Sequence, residues 1–157
     1  MKNNTKMLAQ AGIIAALYVI LTMISTAIGL SSGFIQLRLS EALCILAIYT
    51  PAAIPGLAIG CIIGNLLSGL AVFDVVFGSL ATLLGAIGSW ALRRRKIAPI
   101  AAPIIANTVI IPPVIIAEYG LNHGLHLVAL SIFISETISV VLLGHLVEKT
   151  YKKIQDR

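Results

Sequence analysis

Charge is what this chain has least of. Asp, Glu, Lys and Arg together make up 11% of its 157 residues, against 59% hydrophobic residues and a mean hydropathy of +1.02. A soluble chain of this size needs far more charge to cover its surface. The composition therefore excludes a soluble globular domain and points to an integral membrane protein. Cysteine is almost as scarce. Cys44 and Cys61 stand alone inside apolar stretches, with no further Cys at metal-ligand spacing, and read as small apolar residues. Neither G-x-x-x-x-G-K-[ST] nor H-E-x-x-H occurs, and no Ser, His and Asp order suggests a hydrolase. Nucleotide hydrolysis by this chain is thereby excluded, and the expectation is a non-enzyme with no cofactor and no metal. His123 and His126 are too few for a metal site and read as solvated loop residues.

What is present is apolar sequence in long runs. The expected fold is an all-α integral membrane protein of six transmembrane helices. They cover about 7–29, 40–49, 55–70, 74–92, 98–119 and 127–147, in one transmembrane domain spanning 1–157. A crossing takes ~20 residues, so six leave no room for a soluble domain. The first run, 7–30, is too long for the ~7–15-residue core of a signal peptide and reads as a helix. Ser31, Ser32 and Gly33 are expected to break it. In 30–39 polar Gln36 and Arg38 alternate with Ile35, Leu37 and Leu39, an extended pattern. Segment 40–49, with Ser40 as its expected N-cap, is too short to cross unless its ends are buried in protein.

Thr50-Pro51-Ala52-Ala53-Ile54-Pro55-Gly56 forms a proline-broken bend. From there Gly56, Gly60 and Gly64 line up four apart as a helix-packing seam. In the first span Ala11 and Ala15, and likewise Gly12 and Ala16, form small-residue pairs that admit a close neighbour. Pro112 and Pro113 are expected to kink or unwind the fifth span.

Ten of the 11 cations sit in three clusters: Lys2 and Lys6; Arg93, Arg94, Arg95 and Lys96; and Lys149, Lys152, Lys153 and Arg157. Each flanks an apolar run, which argues against nucleic acid as a partner and for cytoplasmic loops. Placing all three inside requires four crossings and then two, which gives six spans with both termini cytoplasmic. The eleventh cation, Arg38, falls outside the clusters. Glu41, Asp74, Glu118 and Glu136 then lie in the outer half or near the midplane, with Arg38 alone opposing them. Ionisable groups at such depth are costly and face a cavity or a partner. The residues suggest an outward-facing pocket for a small N–H-rich ligand, with Arg38, Glu41, Asp74, Asn107, Glu118 and Glu136 as candidate contacts. The competing assignments are a local Arg38–Glu41 pair, a helix-capping role for Asp74, and interhelical hydrogen bonding for Asn65 and Asn107. Tyr119 reads as a pocket stacker or an interfacial belt residue.

Four runs carry a resemblance: Q-L-R-L-S-E-A-L at 36–43, T-P-A-A-I-P-G at 50–56, G-N-L at 64–66 and D-V-V-F-G-S-L-A-T-L-L at 74–84. With them the chain resembles the QueT-type S components of energy-coupling factor (ECF) transporters. The resemblance implies a six-helix substrate-binding subunit in a bacterial plasma membrane. Its ligand would be a queuosine precursor, a deazaguanine base. Its partners would be a transmembrane T component and two cytoplasmic ATPases. It also implies that Ala11 and Ala15 dock the T component through the first helix. Two other readings stay open on the residues alone: a stand-alone proton- or ion-coupled secondary transporter, favoured by one proline-broken segment in each half, and a membrane assembly factor that binds no small molecule.

Overall fold

The computed structural model describes residues 2–30, 37–119 and 124–155, excepting the side chains of 2, 3, 118 and 119. All the regular structure among these residues is helical. Helix α1 is Lys2–Ala27, a 3₁₀ helix follows at Leu39–Ile48, α2 is Ala53–Leu67, α3 is Val72–Ala91 and α4 is Ala98–Tyr119. Helix α5, Leu125–Thr137, runs through a π-helical stretch, Ile138–Leu143, into α6, Gly144–Gln155. Among the described residues four helices are long and apolar enough to cross a membrane: Asn4–Ala27, Val72–Ala91, Ala98–Ala117 and Leu125–Gln155. The 3₁₀ helix and α2 are shorter apolar helices. At ~2.0 Å per residue the 3₁₀ helix spans only about 20 Å. Ser40 to Ala47 are all buried in it, so it runs through protein, which is the condition its length imposed.

Both α1 and α2 end on a left-handed glycine. Gly29 has φ 75° and Gly69 φ 68°. In each case the following N–H reaches back five residues: Leu30 to the Ser25 carbonyl at 2.9 Å and Leu70 to the Asn65 carbonyl at 3.2 Å. This closure satisfies carbonyls that the helix end would otherwise leave open. The stop of α1 is therefore Gly29, ahead of the Ser31-Ser32-Gly33 run expected to break it. Ser40 is not the N-cap of its helix either. That position belongs to Arg38, which is extended and makes no side-chain cap, while the Ser40 hydroxyl is buried without a hydrogen bond.

The glycine ladder of α2 is the seam with α1. A Cβ on Gly56 would lie 2.8 Å from the Ala11 carbonyl, one on Gly60 2.9 Å from the Ala15 carbonyl and 2.7 Å from Tyr18 Cβ, and one on Gly64 3.1 Å from Thr22 Cβ. Ala11 and Ala15, the pair expected to dock a partner, thus line a contact inside this chain, and Ala11 is buried. Gly12 and Ala16 are exposed on the other side of the helix.

Helices α3 and α4 meet in the same way. A Cβ on Gly85 would lie 2.7 Å from Pro103 Cα, and one on Gly88 2.9 Å from Ala102 Cβ. Helix α4 holds Pro103, Pro112 and Pro113 and stays helical throughout, so the expected unwinding at Pro112-Pro113 does not occur. At the remaining proline, Pro103, a compensation is visible one turn earlier. Proline has no N–H for the Pro99 carbonyl four residues back. Ser89 of α3 donates its hydroxyl to that carbonyl at 2.7 Å, so a neighbouring helix replaces the missing donor.

Candidate ligand cavity

Arg38 reaches the interior because the chain leading into it is pinned to α1. Leu37 N–H donates to the Leu30 carbonyl at 2.8 Å. Leu39 N–H donates to Ser25 Oγ at 3.0 Å. Between these anchors Arg38 has φ −101° and ψ 107°, so the backbone is extended and the 3₁₀ helix starts immediately after it. The guanidinium lies beside Gly78 of α3: a Cβ there would stand in ordinary contact with it, 3.8 Å from Arg38 Nη1.

Arg38 lines a cavity with Asn107 and Ile111 of α4 and Ile132, Ser135 and Glu136 of α5. Three separate stretches of sequence thus contribute polar groups to one internal hollow. Asn107 spends its amide on the Pro103 carbonyl of its own helix, at 3.2 Å, which turns its carbonyl oxygen away from that bond. Glu136 is 7% exposed, and its Oε2 is buried without a hydrogen bond. The π-helical stretch begins two residues later. An inserted residue of this kind re-aims side chains and recurs at functional sites. The volume is about 10 Å³, room for a single water.

The other candidates fall behind or beside this hollow. Glu41, 1% exposed, accepts from the Tyr18 hydroxyl, from Cys44 Sγ at 3.1 Å and from Thr82 Oγ1 at 3.5 Å. It does not line the cavity. Asp74 is buried in the first turn of α3, with its backbone carbonyl taking the Asn65 amide at 3.4 Å. Asn65 thereby ties α2 to α3, the interhelical role open to it from sequence. Gln36 and His123 lie outside the described residues, as do the side chains of Glu118 and Tyr119. His126 is exposed in the first turn of α5. Among the described residues no group of three metal-ligating side chains occurs.

Tyr18, Thr82 and Ser135 escaped the sequence reading. Each sits in an apolar run at a position that helical spacing assigns to packing. The one signal available was that a buried carboxylate at 41 requires donors from other helices. The cysteines are free and buried, but they are also polar partners: Cys61 Sγ accepts from Thr82 and Asn65, both at 3.5 Å.

A second polar cluster lies at the far end of the 3₁₀ helix. The Tyr49 hydroxyl donates to Glu148 Oε1, and Lys152 Nζ donates to the same oxygen at 2.7 Å. Residues 125–155 form 31 residues of helix, more than the ~20 a crossing needs, so these last turns extend past the apolar stretch. There the Lys152 ammonium and the Tyr49 hydroxyl hold the Glu148 carboxyl below the usual carboxylate range.

The model of the QueT transporter family matches residues 8–153. The chain belongs to that family. It is a multi-pass membrane protein of a family of transporters, not of enzymes. Over 83 residues it is 43% identical to the queuosine precursor transporter QueT of Lactococcus lactis subsp. cremoris (strain MG1363), a match that takes in 53% of this chain and 48% of that protein. The chain thus spans about half the length of the curated relative it matches. No solved structure matches it.

Proposed function

We propose that the chain is the substrate-capture subunit of an ECF-type importer that takes a queuosine precursor, a deazaguanine base, from outside the cell. The observation that carries this reading is the convergence of Arg38, Asn107 and Glu136 on one buried hollow, in a member of the QueT transporter family. A deazaguanine presents an N–H and an amino group on one edge, a pair that a carboxylate accepts in bidentate fashion. Glu136 takes that edge, and Arg38 donates to the ring carbonyl. Glu41 and Asp74 stand behind, holding the elements that position Arg38. Small-molecule pockets have ~300–1,000 Å³, so a base enters only as α3, α4 and α5 part around these side chains.

The charge clusters favour six crossings with both termini inside, α1 leading out, the 3₁₀ helix and α2 passing in and back, and α3, α4 and the α5–α6 helix completing the path. The T component docks on the exposed side of α1, at Gly12 and Ala16 with Ala15 at the edge, and two cytoplasmic ATPases supply the energy. The rival reading as a self-sufficient secondary transporter drew on broken helices in both halves; α4 passes unbroken through its prolines.

Calorimetry on the purified subunit tests the ligand, and uptake tests the partners. Deazaguanine bases are expected to bind and guanine to bind more weakly. Uptake is expected only in cells that also make the T component and ATPases. Full uptake without them overturns the ECF assignment; absence of binding to every deazaguanine overturns the ligand.

A further inference from the structure

The 3₁₀ helix packs against both α1 and α6, and these two neighbours leave an apolar groove of about 330 Å³ between them. Leu43 and Leu46 of the 3₁₀ helix form its floor, with Leu17 of α1 on one side and Leu146, Val147 and Ile154 of α6 on the other. Side chains three apart eclipse one another in a 3₁₀ helix, so Leu43 and Leu46 make a straight ridge. The Tyr49 hydroxyl on Glu148, and the Tyr49 ring 5.8 Å from that of Tyr151, hold α6 against the end of the 3₁₀ helix.

The charges of α6 are unevenly matched. Glu148 is the one carboxylate of Gly144–Gln155, and Lys152 takes it up at 2.7 Å. Lys149 and Lys153 are exposed and, among the described residues, have no carboxylate within 4.0 Å. Being four apart on a helix, they are neighbours and repel each other. Lys149 follows Leu146 by three residues and Lys153 follows Thr150 by three. Leu146 and Thr150 both line the groove, so the two lysines flank one of its edges. From Leu125 to Val147 there is no Lys or Arg. At ~1.5 Å per residue that run is about 35 Å long, a little more than the ~30 Å hydrocarbon core. The lysines therefore begin at the level of lipid headgroups, and Leu43, Leu46 and Leu146 lie at the level of acyl chains.

We propose that this groove binds one anionic phospholipid, with an acyl chain along Leu43 and Leu46 and the phosphate paired with Lys149 and Lys153. A hydrocarbon chain matches an apolar slot, and an anionic headgroup relieves the repulsion between the two ammonium groups. A zwitterionic lipid offers the same chains but sets its own cation beside the lysines, so charge decides between the two. The bound lipid joins α1 to α6 across the 3₁₀ helix. The site is separate from the Arg38 cavity, and its failure leaves the deazaguanine reading untouched.

Native mass spectrometry of the full chain in detergent, titrated with phosphatidylglycerol or with phosphatidylcholine of identical acyl chains, tests the site. One phosphatidylglycerol should be retained per chain, with roughly tenfold or greater preference over phosphatidylcholine. Lys149→Gln combined with Lys153→Gln should weaken phosphatidylglycerol binding by about tenfold or more, as removal of two cations at the membrane surface predicts, and leave phosphatidylcholine unaffected. Thr150→Trp fills the groove and should weaken both lipids. Arg94→Gln combined with Arg95→Gln removes the same charge from exposed positions elsewhere and should change neither. Equal retention of the two lipids overturns the proposal, as does retention of none. An equal loss in the Arg94 and Arg95 variant overturns it too, because the attraction is then diffuse. Unchanged lipid binding in Thr150→Trp, with loss of T-component capture, gives the groove to a protein partner and overturns it as well. The wild-type comparison of the two lipids stands even where a variant does not fold.

Discussion

The Tyr18 hydroxyl of α1 donates to Glu41 Oε1 of the 3₁₀ helix, a buried bond between residues 23 apart in sequence. Three residues make one 3₁₀ turn, so Glu41 stands one turn below Arg38, and its own N–H bonds the Arg38 carbonyl at 3.2 Å. The first helix therefore fixes, through one carboxylate, the turn that carries the cavity's arginine. Tyr18→Phe removes the donor and leaves Glu41 Oε1 with Thr82 at 3.5 Å. The expected loss is about 1.5–3 kcal/mol of stability, as for other hydrogen bonds to a charged group, together with weaker ligand binding. Thermal unfolding in detergent and calorimetry read the two effects. Unchanged affinity in a destabilised variant means that Tyr18 braces the fold and does not position Arg38.

The α1–α2 seam yields a paired prediction. Gly60→Ala would place a methyl 2.7 Å from Tyr18 Cβ and 2.9 Å from the Ala15 carbonyl. That overlap forces the helices apart, at a cost of about 1–3 kcal/mol. A Cβ on Gly12 would meet nothing within 4 Å, so Gly12→Ala should leave stability unchanged or raise it by up to ~1 kcal/mol through helix propensity. Melting temperatures of the two variants settle the contrast. Gly12→Leu should further leave folding and ligand binding alone while weakening capture by the T component in a pull-down.

These elements differ in how far the sequence discloses them. The Gly56, Gly60 and Gly64 ladder is legible because its meaning is a spacing, and spacing is written in the chain. Glu136 is legible for a similar reason, since a mid-span carboxylate without a local cation is anomalous wherever it occurs. What spacing conceals is partnership. Ser89 looks like one more small residue of α3 until its hydroxyl is found on the Pro99 carbonyl, the acceptor that Pro103 leaves without an N–H. The Ala11 and Ala15 pair shows the same limit. A small-residue pair announces a close approach but not which helix approaches, and within this chain it is α2 that meets them, at Gly56 and Gly60.

At the other end of the 3₁₀ helix, Glu148 joins α6 to Tyr49. Its carboxyl is held below the ordinary range by Lys152 and Tyr49, so it binds its proton less readily folded than unfolded. The stabilisation is therefore present at neutral pH, above the unfolded value of ~4.3, and fades as pH falls through the lower folded value. Glu148→Gln should melt earlier than wild type at pH 7, with the difference vanishing in strong acid. A difference that persists unchanged below the carboxylate range contradicts the ionic assignment.

Arg38 provides the sharpest separation of geometry from charge. Its guanidinium passes over Gly78, 3.8 Å from where a Cβ would stand, and Asn65 Nδ2 is closer still at 3.1 Å. Arg38→Lys keeps the charge but replaces a planar fork with a shorter-reaching point donor; Gly78→Val keeps the arginine but fills the space it crosses. Both should weaken deazaguanine binding, by roughly tenfold or more, equivalent to ~1.4 kcal/mol. They should differ in stability: Arg38→Lys melts near wild type, whereas Gly78→Val also presses on Asn65 and loses about 1–3 kcal/mol. Calorimetry beside thermal unfolding reads both quantities. Full affinity in Arg38→Lys would show that the site needs only a positive charge at this point, and full affinity in Gly78→Val that the guanidinium's path over α3 is immaterial to the ligand.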